Sequence, residues 1–183
     1  MPYEFKATRR VEFSETDMEG IMHFSNFFRF METAEHAFFR SLGYSVVLSR
    51  NGLMLCLPRV HAECDYTAPL RFEDEVQIQL LVEKKSKRSL TYQFRFRRLN
   101  GSAAQEVARG RLTVVCAERR SDGSMKAVAL PAAIAEQIHE APPGLLADGF
   151  GSVRERGEPL RMKNQRRRAP TRNTRHSPHL LPT

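Results

Sequence analysis

Tryptophan is absent from this 183-residue chain, tyrosine occurs four times and cysteine three times. Cys56, Cys64 and Cys116 are odd in number and show no pairing rhythm, which argues against a disulfide framework and for reduced thiols in a cytoplasmic protein. No stretch approaches the roughly 18 uninterrupted apolar residues that suggest a membrane span. Residues 1–10 carry charges and no apolar run, so no secretory signal is expected there. His61 and Cys64 stand three apart on an expected strand and point to opposite faces. No Cys/His cluster has ligand spacing, so neither a metal nor a cofactor is expected. A phosphate-cradling glycine loop, a Walker sequence, a G-x-S-x-G elbow and internal repeats are all missing.

What is plentiful is phenylalanine, with 12 residues, and positive charge, with a formal net of +8. The charge is uneven. Residues 1–140 carry 20 Lys and Arg against 18 Asp and Glu, whereas residues 141–183 carry 9 against 3. The second segment also holds Pro142, Pro143, Gly144, Gly149, Gly151, Gly157, Pro159 and the run Arg166 to Arg168, with no hydrophobic period. The expected division is a folded domain over 1–140 and a disordered, basic, Pro/Arg-rich tail over 141–183. Arginines interleaved with proline and without aromatic partners support only loose electrostatic contact with nucleic acid. Nucleic-acid binding is therefore a rival reading, not the expected function.

Within the first 140 residues the periodicity is readable. Phe5, Ala7, Val11 and Phe13 alternate with charged residues, as on a half-buried strand, and Arg9 breaks the apolar parity. Phe24, Phe27, Phe28, Met31, Ala34, Phe38 and Leu42 then recur at helical spacing, widened by Phe30 and Ala37. Ser25 and Asn26 can cap the start of this helix and Gly43 can end it. A helix this apolar is expected to be largely enclosed. Four alternating segments follow, around Val60–Ala68, Val76–Val82, Leu90–Phe96 and Val107–Ala117, with a hairpin signal at Asn100-Gly101. Pro131 to His139 reads as a short helix with proline at its first position. Consecutive strands on short loops are expected to be antiparallel, giving an α+β fold.

One stretch carries chemistry. Asp17 lies in a polar loop immediately before the apolar helix. The first N–H groups of a helix lack internal partners and carry partial positive charge. An oxyanion could sit on the N–H of Phe24 or its neighbour, with Asp17 nearby as nucleophile or general base. The plain alternative is that Asp17, Glu15 and Glu19 are loop acids and Asp17 a helix cap.

Asp17, Gly20, Ile21, Met22, Asn26 and Phe27 fit, in order, the opening signature of a known family. The sequence resembles the 4-hydroxybenzoyl-CoA thioesterase-like hotdog family over roughly residues 5–135. Supporting pieces are Ala68-Pro69-Leu70 with Asp74, the basic hairpin Lys87-Arg88-Ser89, and Lys126 to Pro131. The resemblance implies a hotdog fold, a long central helix wrapped by an antiparallel β-sheet. It also implies a homodimer or homotetramer with active sites at the subunit interface. The expected function is acyl-CoA thioester hydrolysis to free acid and CoA, with Asp17 as the catalytic carboxylate. Gly20, His23, Phe24, Asn26 and Glu32 are expected around the oxyanion and substrate. Lys87, Arg88, Ser89 and Lys126 are expected at the CoA phosphates, as part of the cationic cluster Lys84, Lys85, Lys87 and Arg88. The rival to hydrolysis is a non-catalytic domain that binds CoA esters or scaffolds a complex.

Two positions depart from the family pattern. Members of the Tol-Pal-associated branch carry a histidine seven residues after the aspartate, where this chain has Phe24; its histidine is one residue earlier, at His23. The 4-hydroxybenzoyl enzyme has aspartate where this chain has Glu32. Glu32 can contact a polar acyl end, or pair with Arg29 or His36 at helical spacing.

Overall fold

The computed structural model describes residues 2–50, 53–101 and 103–146. Strand β1, Glu4–Arg10, leads through a 3-10 turn at Phe13–Glu15 into helix α1, Ser25–Ser41. The chain continues with β2 Leu48–Arg50, β3 Leu53–Cys56, β4 Arg59–Tyr66, β5 Glu75–Lys85, β6 Ser89–Arg98 and β7 Gln105–Val115. It then forms β8 Ala117–Arg119, β9 Met125–Ala127, α2 Ala132–Gln137 and α3 Pro143–Leu146. Among the described residues no helix is long and apolar enough to cross a membrane.

Helix α1 lies along one face of a five-stranded antiparallel sheet ordered β1-β5-β6-β7-β4. This is the expected α+β hotdog arrangement. Val76, Ile78, Leu80 and Val82 of β5 and Leu90, Tyr92, Phe94 and Phe96 of β6 are all buried on the helix side. They stand opposite one another in register, with Leu80 against Phe94 and Ile78 against Phe96. Phe27, Phe30, Met31, Ala34, Phe38 and Phe39 of α1 close the core from above. The helix is enclosed on one side only, since Arg29 and Arg40 stay exposed. It ends in a Schellman arrangement. The Tyr44 N–H donates to the Phe39 carbonyl and the Gly43 N–H to that of Arg40, with Gly43 at φ +84°.

Gly110 of β7 sits directly beneath α1, where an added Cβ would run into the Met31 sulfur. The missing side chain is what lets helix and sheet approach so closely.

Three features were not read from the sequence pattern. β4 and β5 are consecutive but not neighbours: β4 pairs with β7, and β5 pairs with β1 and β6. A second antiparallel sheet, β2-β3-β8-β9, is built from strands of three and four residues. The segment expected to be a tail begins as part of the domain. The Ala141 N–H donates to the Val82 carbonyl, and Arg95 Nη2 donates to the Leu145 carbonyl at 2.7 Å. The remainder of the expected tail lies outside the described residues.

One buried acid breaks the apolar face of α1. Glu35 is 1% exposed, bound by Arg59 Nη2 at 2.8 Å, and lies beside the buried Tyr92 hydroxyl. Burial pushes its carboxyl up from 4.5 to about 7, against the pull of Arg59. A carboxyl raised on folding holds its proton more tightly in the folded chain. Its contribution to stability is therefore full below about pH 4.5 and lost as pH rises through about 7. Glu35→Gln, which cannot ionise, is expected to melt at a progressively higher temperature than the parent across that window. Parallel melting curves at every pH would contradict this.

Candidate active site

The segment between β1 and α1 is a tight, heavily bonded turn. The Asp17 N–H donates to the Ile21 carbonyl and the Gly20 N–H donates to the Asp17 carbonyl, both at 2.9 Å. Gly20 holds φ +69°, in the left-handed region that favours glycine. Asp17 Oδ1 accepts the Glu19 N–H at 2.9 Å, leaving the rest of a half-buried carboxylate available. Thr16 and Met22 form an isolated bridge, and the Met22 N–H donates to the Leu70 carbonyl at 2.7 Å.

The helix begins without a side-chain cap, contrary to the expectation for Ser25 and Asn26. Phe24 occupies the cap position in helical backbone geometry, and the residue is 59% exposed. Among the described residues no acceptor meets the Phe24 N–H. The Ser25 N–H makes only a long contact, 3.4 Å, to His23 Nδ1. His23 folds back onto the helix start, its Nδ1 2.8 Å from Ser25 Oγ and its ring 4.5 Å from that of Phe24. The Tyr66 hydroxyl approaches the Phe24 carbonyl at 3.4 Å, and its ring stands edge-on to Phe27.

Asn26 does not turn toward this open end. It is 6% exposed and its Nδ2 donates to the Glu15 carbonyl at 2.8 Å. Glu32 lies two turns further along α1 and pairs with Arg59 at 3.1 Å and with His36 at 3.8 Å. A polar acyl group reaching Glu32 would compete with Arg59. Cys64 offers no nucleophile, because burial pushes its thiol up to about 12.

The expected phosphate-binding residues gather elsewhere. The turn between β5 and β6 is held from inside by Ser86, whose Oγ accepts the N–H of Ser89 at 2.9 Å and of Arg88 at 3.2 Å. Ser89 Oγ lies 2.7 Å from Ser86 Oγ, so its hydroxyl is already engaged. The Leu130 N–H donates to the Lys87 carbonyl and the Cys116 N–H to the Arg88 carbonyl, which bolts the turn to the β8–β9 region. Lys126 stands there on β9, opposite Glu118. Lys87, Arg88 and Lys126 are exposed. Lys85 is not available as part of this cluster. Its Nζ donates to the Ala135 and Ile138 carbonyls, each at 2.7 Å, and closes the end of α2.

The two groups of residues sit at opposite ends of one chain. The Asp17 turn is tied to Leu70, beside the start of β5, whereas the basic turn follows its end. The 11 residues of β5 span roughly 35 Å at the usual strand rise. Within a single chain the structure brings Asp17, Gly20, His23, Phe24 and Asn26 together, and does not bring Lys87, Arg88, Ser89 and Lys126 to them.

A long helix that packs on a five-stranded antiparallel sheet, entered through a tight turn, is the arrangement of a hotdog-fold protein. The chain belongs to the thioesterase-like superfamily, whose profile matches residues 11–138. It is 38% identical over 95 residues to a provisionally named esterase of Aquifex aeolicus (strain VF5), covering 51% of this chain and 71% of that one. It is 33% identical over 97 residues to a 1,4-dihydroxy-2-naphthoyl-CoA hydrolase of Prochlorococcus marinus (strain NATL1A), covering 49% of this chain and 65% of that one. The fold matches the 4-hydroxybenzoyl-CoA thioesterase of Pseudomonas sp. strain CBS-3 with a TM-score of 0.64 at 20% identity, over 73% of this chain and 98% of that one.

Proposed function

We propose that this protein hydrolyses an acyl-CoA thioester to the free acid and CoA, with Asp17 as the catalytic carboxylate. The observation that carries the reading is the pairing of an available carboxylate with an uncapped helix start whose Phe24 N–H meets no acceptor among the described residues. The thioester oxygen accepts that N–H as negative charge develops on it, which stabilises the tetrahedral state most when the charge is largest. Asp17 either attacks the carbonyl carbon, giving a mixed anhydride that water then hydrolyses to the acid, or takes a proton from the attacking water; in both cases CoA leaves as the thiolate. A purely CoA-binding role would leave Asp17 and the free N–H without a task.

The separation of the two residue groups argues for a homodimer. β4 is one of the two edge strands of the large sheet, and its residues are exposed or only half-buried along its whole length. Its start, at Arg59, lies near the basic turn, and its end, at Tyr66, lies near Phe24. Two copies pairing antiparallel through β4 would set the Asp17 end of one beside the Lys87–Arg88 turn of the other. The CoA phosphates would then be held by Lys87, Arg88 and Lys126 of the opposite copy.

Contacts so far from the scissile bond act equally on ground and transition states. The Lys87→Ala, Arg88→Ala double variant is expected to raise KM by about tenfold while kcat stays within about twofold. The KM effect should shrink on an acyl-pantetheine lacking the nucleotide. Mixing this variant with Asp17→Asn subunits should restore low-KM turnover that neither parent shows. Equal losses on both substrates would remove the phosphate role, and a failure of mixing would remove the shared site. An acyl-CoA panel followed by CoA release tests the reaction itself; no turnover of any member would overturn the reading.

A further inference from the structure

We infer that Asn26 is a positioning residue that fixes the Asp17 turn to α1 through the Glu15 carbonyl. The inference rests on the hydrolase reading above, and it moves Asn26 from the expected substrate contacts to the scaffold behind them. A buried amide on the first turn of a helix has two ordinary uses, to cap the helix or to face a ligand. Asn26 does neither, since the cap position makes no side-chain bond and the side chain is enclosed. Its Nδ2 reaches 11 residues back to the Glu15 carbonyl at 2.8 Å.

That carbonyl is the junction of the turn. It accepts the His23 N–H at 2.9 Å as well as Asn26. Two donors on one carbonyl join the strand side of the turn, its return at His23, and the helix itself. The Glu15 side chain is fixed too. Its Oε2 accepts the Glu12 N–H at 2.9 Å, and its Oε1 meets Arg9 Nη2 at 3.4 Å. Arg9, the residue that breaks the apolar parity of β1, lays its guanidinium 4.6 Å over the Phe30 ring. Glu15 is thus held from β1 and from α1. Asp17 follows two residues later, and among the described residues its one side-chain bond comes from its own turn. The placement of its carboxylate relative to the Phe24 N–H therefore depends on how firmly Glu15 and the helix start are joined. A displacement of about 1 Å of a catalytic group can cost about a hundredfold in rate.

Asn26→Asp keeps the shape and removes the donor, leaving an acceptor facing a carbonyl. We expect kcat to fall by at least about tenfold while KM for the acyl-CoA stays within about twofold, because the CoA contacts are untouched. Amide exchange at His23 and Asp17 should speed up by about tenfold, reporting the loosened turn without reference to catalysis. Asn26→Ser, which retains a shorter donor, should fall between the two chains in both measurements. If Asn26→Asp does not fold, Asn26→Ser decides by the same measurements. An unchanged kcat with unchanged exchange would overturn the inference. So would a KM that rises in step with the loss of kcat, which would return Asn26 to the substrate. Should the parent chain hydrolyse no acyl-CoA, the hydrolase reading falls, and exchange at His23 and Asp17 still decides whether Asn26 anchors the turn.

Discussion

Replacing Asp17 by asparagine is expected to abolish most turnover, by about a thousandfold or more, while leaving the fold intact. The substitution removes the nucleophilic or proton-accepting carboxylate and little else. The amide oxygen of asparagine can still accept the Glu19 N–H now held at 2.9 Å by Asp17 Oδ1. The turn itself is closed by backbone bonds, from the Asp17 N–H to Ile21 and from the Gly20 N–H to Asp17, which the substitution does not touch. Melting temperature and acyl-CoA affinity should therefore stay near parental values, so that the loss appears in kcat. Steady-state CoA release, with a thermal melt on the same sample, checks both halves. A variant that turned over at the parental rate would transfer the chemistry to another group and leave Asp17 as a loop acid.

The largest loss of stability is expected at Gly110. Its position under α1 leaves no room for a Cβ, because the Met31 sulfur occupies that space, and Met31 is itself fully buried. Neither side can retreat into solvent. Gly110→Val should cost about 3 kcal/mol in urea unfolding, at the upper end for overpacked cores. Shortening Met31 to alanine in the same chain should recover part of that cost. The double-mutant cycle would then return a coupling of about 1 kcal/mol or more. Strict additivity of the two substitutions would show that the close approach is not what constrains this glycine.

The sequence pattern disclosed some levels of this molecule and was silent on others. Helix α1 and strands β5 and β6 were legible because long amphipathic segments repeat their period often enough to be recognised. β2, β3, β8 and β9, at three and four residues, are too short to show one. Strand order was hidden for a different reason. Alternation tells which side of a strand is buried and says nothing about its neighbour, so the placing of β6 and β7 between β5 and β4 could not be read from it. The Asp17 turn stood out by composition and by its place before a helix. The direction in which Asn26 points did not, since an amide near a helix start suits a cap, a ligand or a carbonyl equally. Lys85 misled in the same way. In sequence it belongs to a run of cations, and in three dimensions it closes α2.

The bond between Arg95 and α3 bears on where this protein can be cut. Gln93 and Arg95 belong to the side of β6 that faces away from α1, yet both are buried, and Arg95 spends one of its donors on the Leu145 carbonyl. A boundary drawn from composition alone, at Ala141, would strip that carbonyl away. It would also set a new terminal carboxylate on the residue whose N–H closes onto Val82. For shortened versions, fusions or affinity tags, the domain is better taken to extend through Leu146, with added sequence joined beyond it.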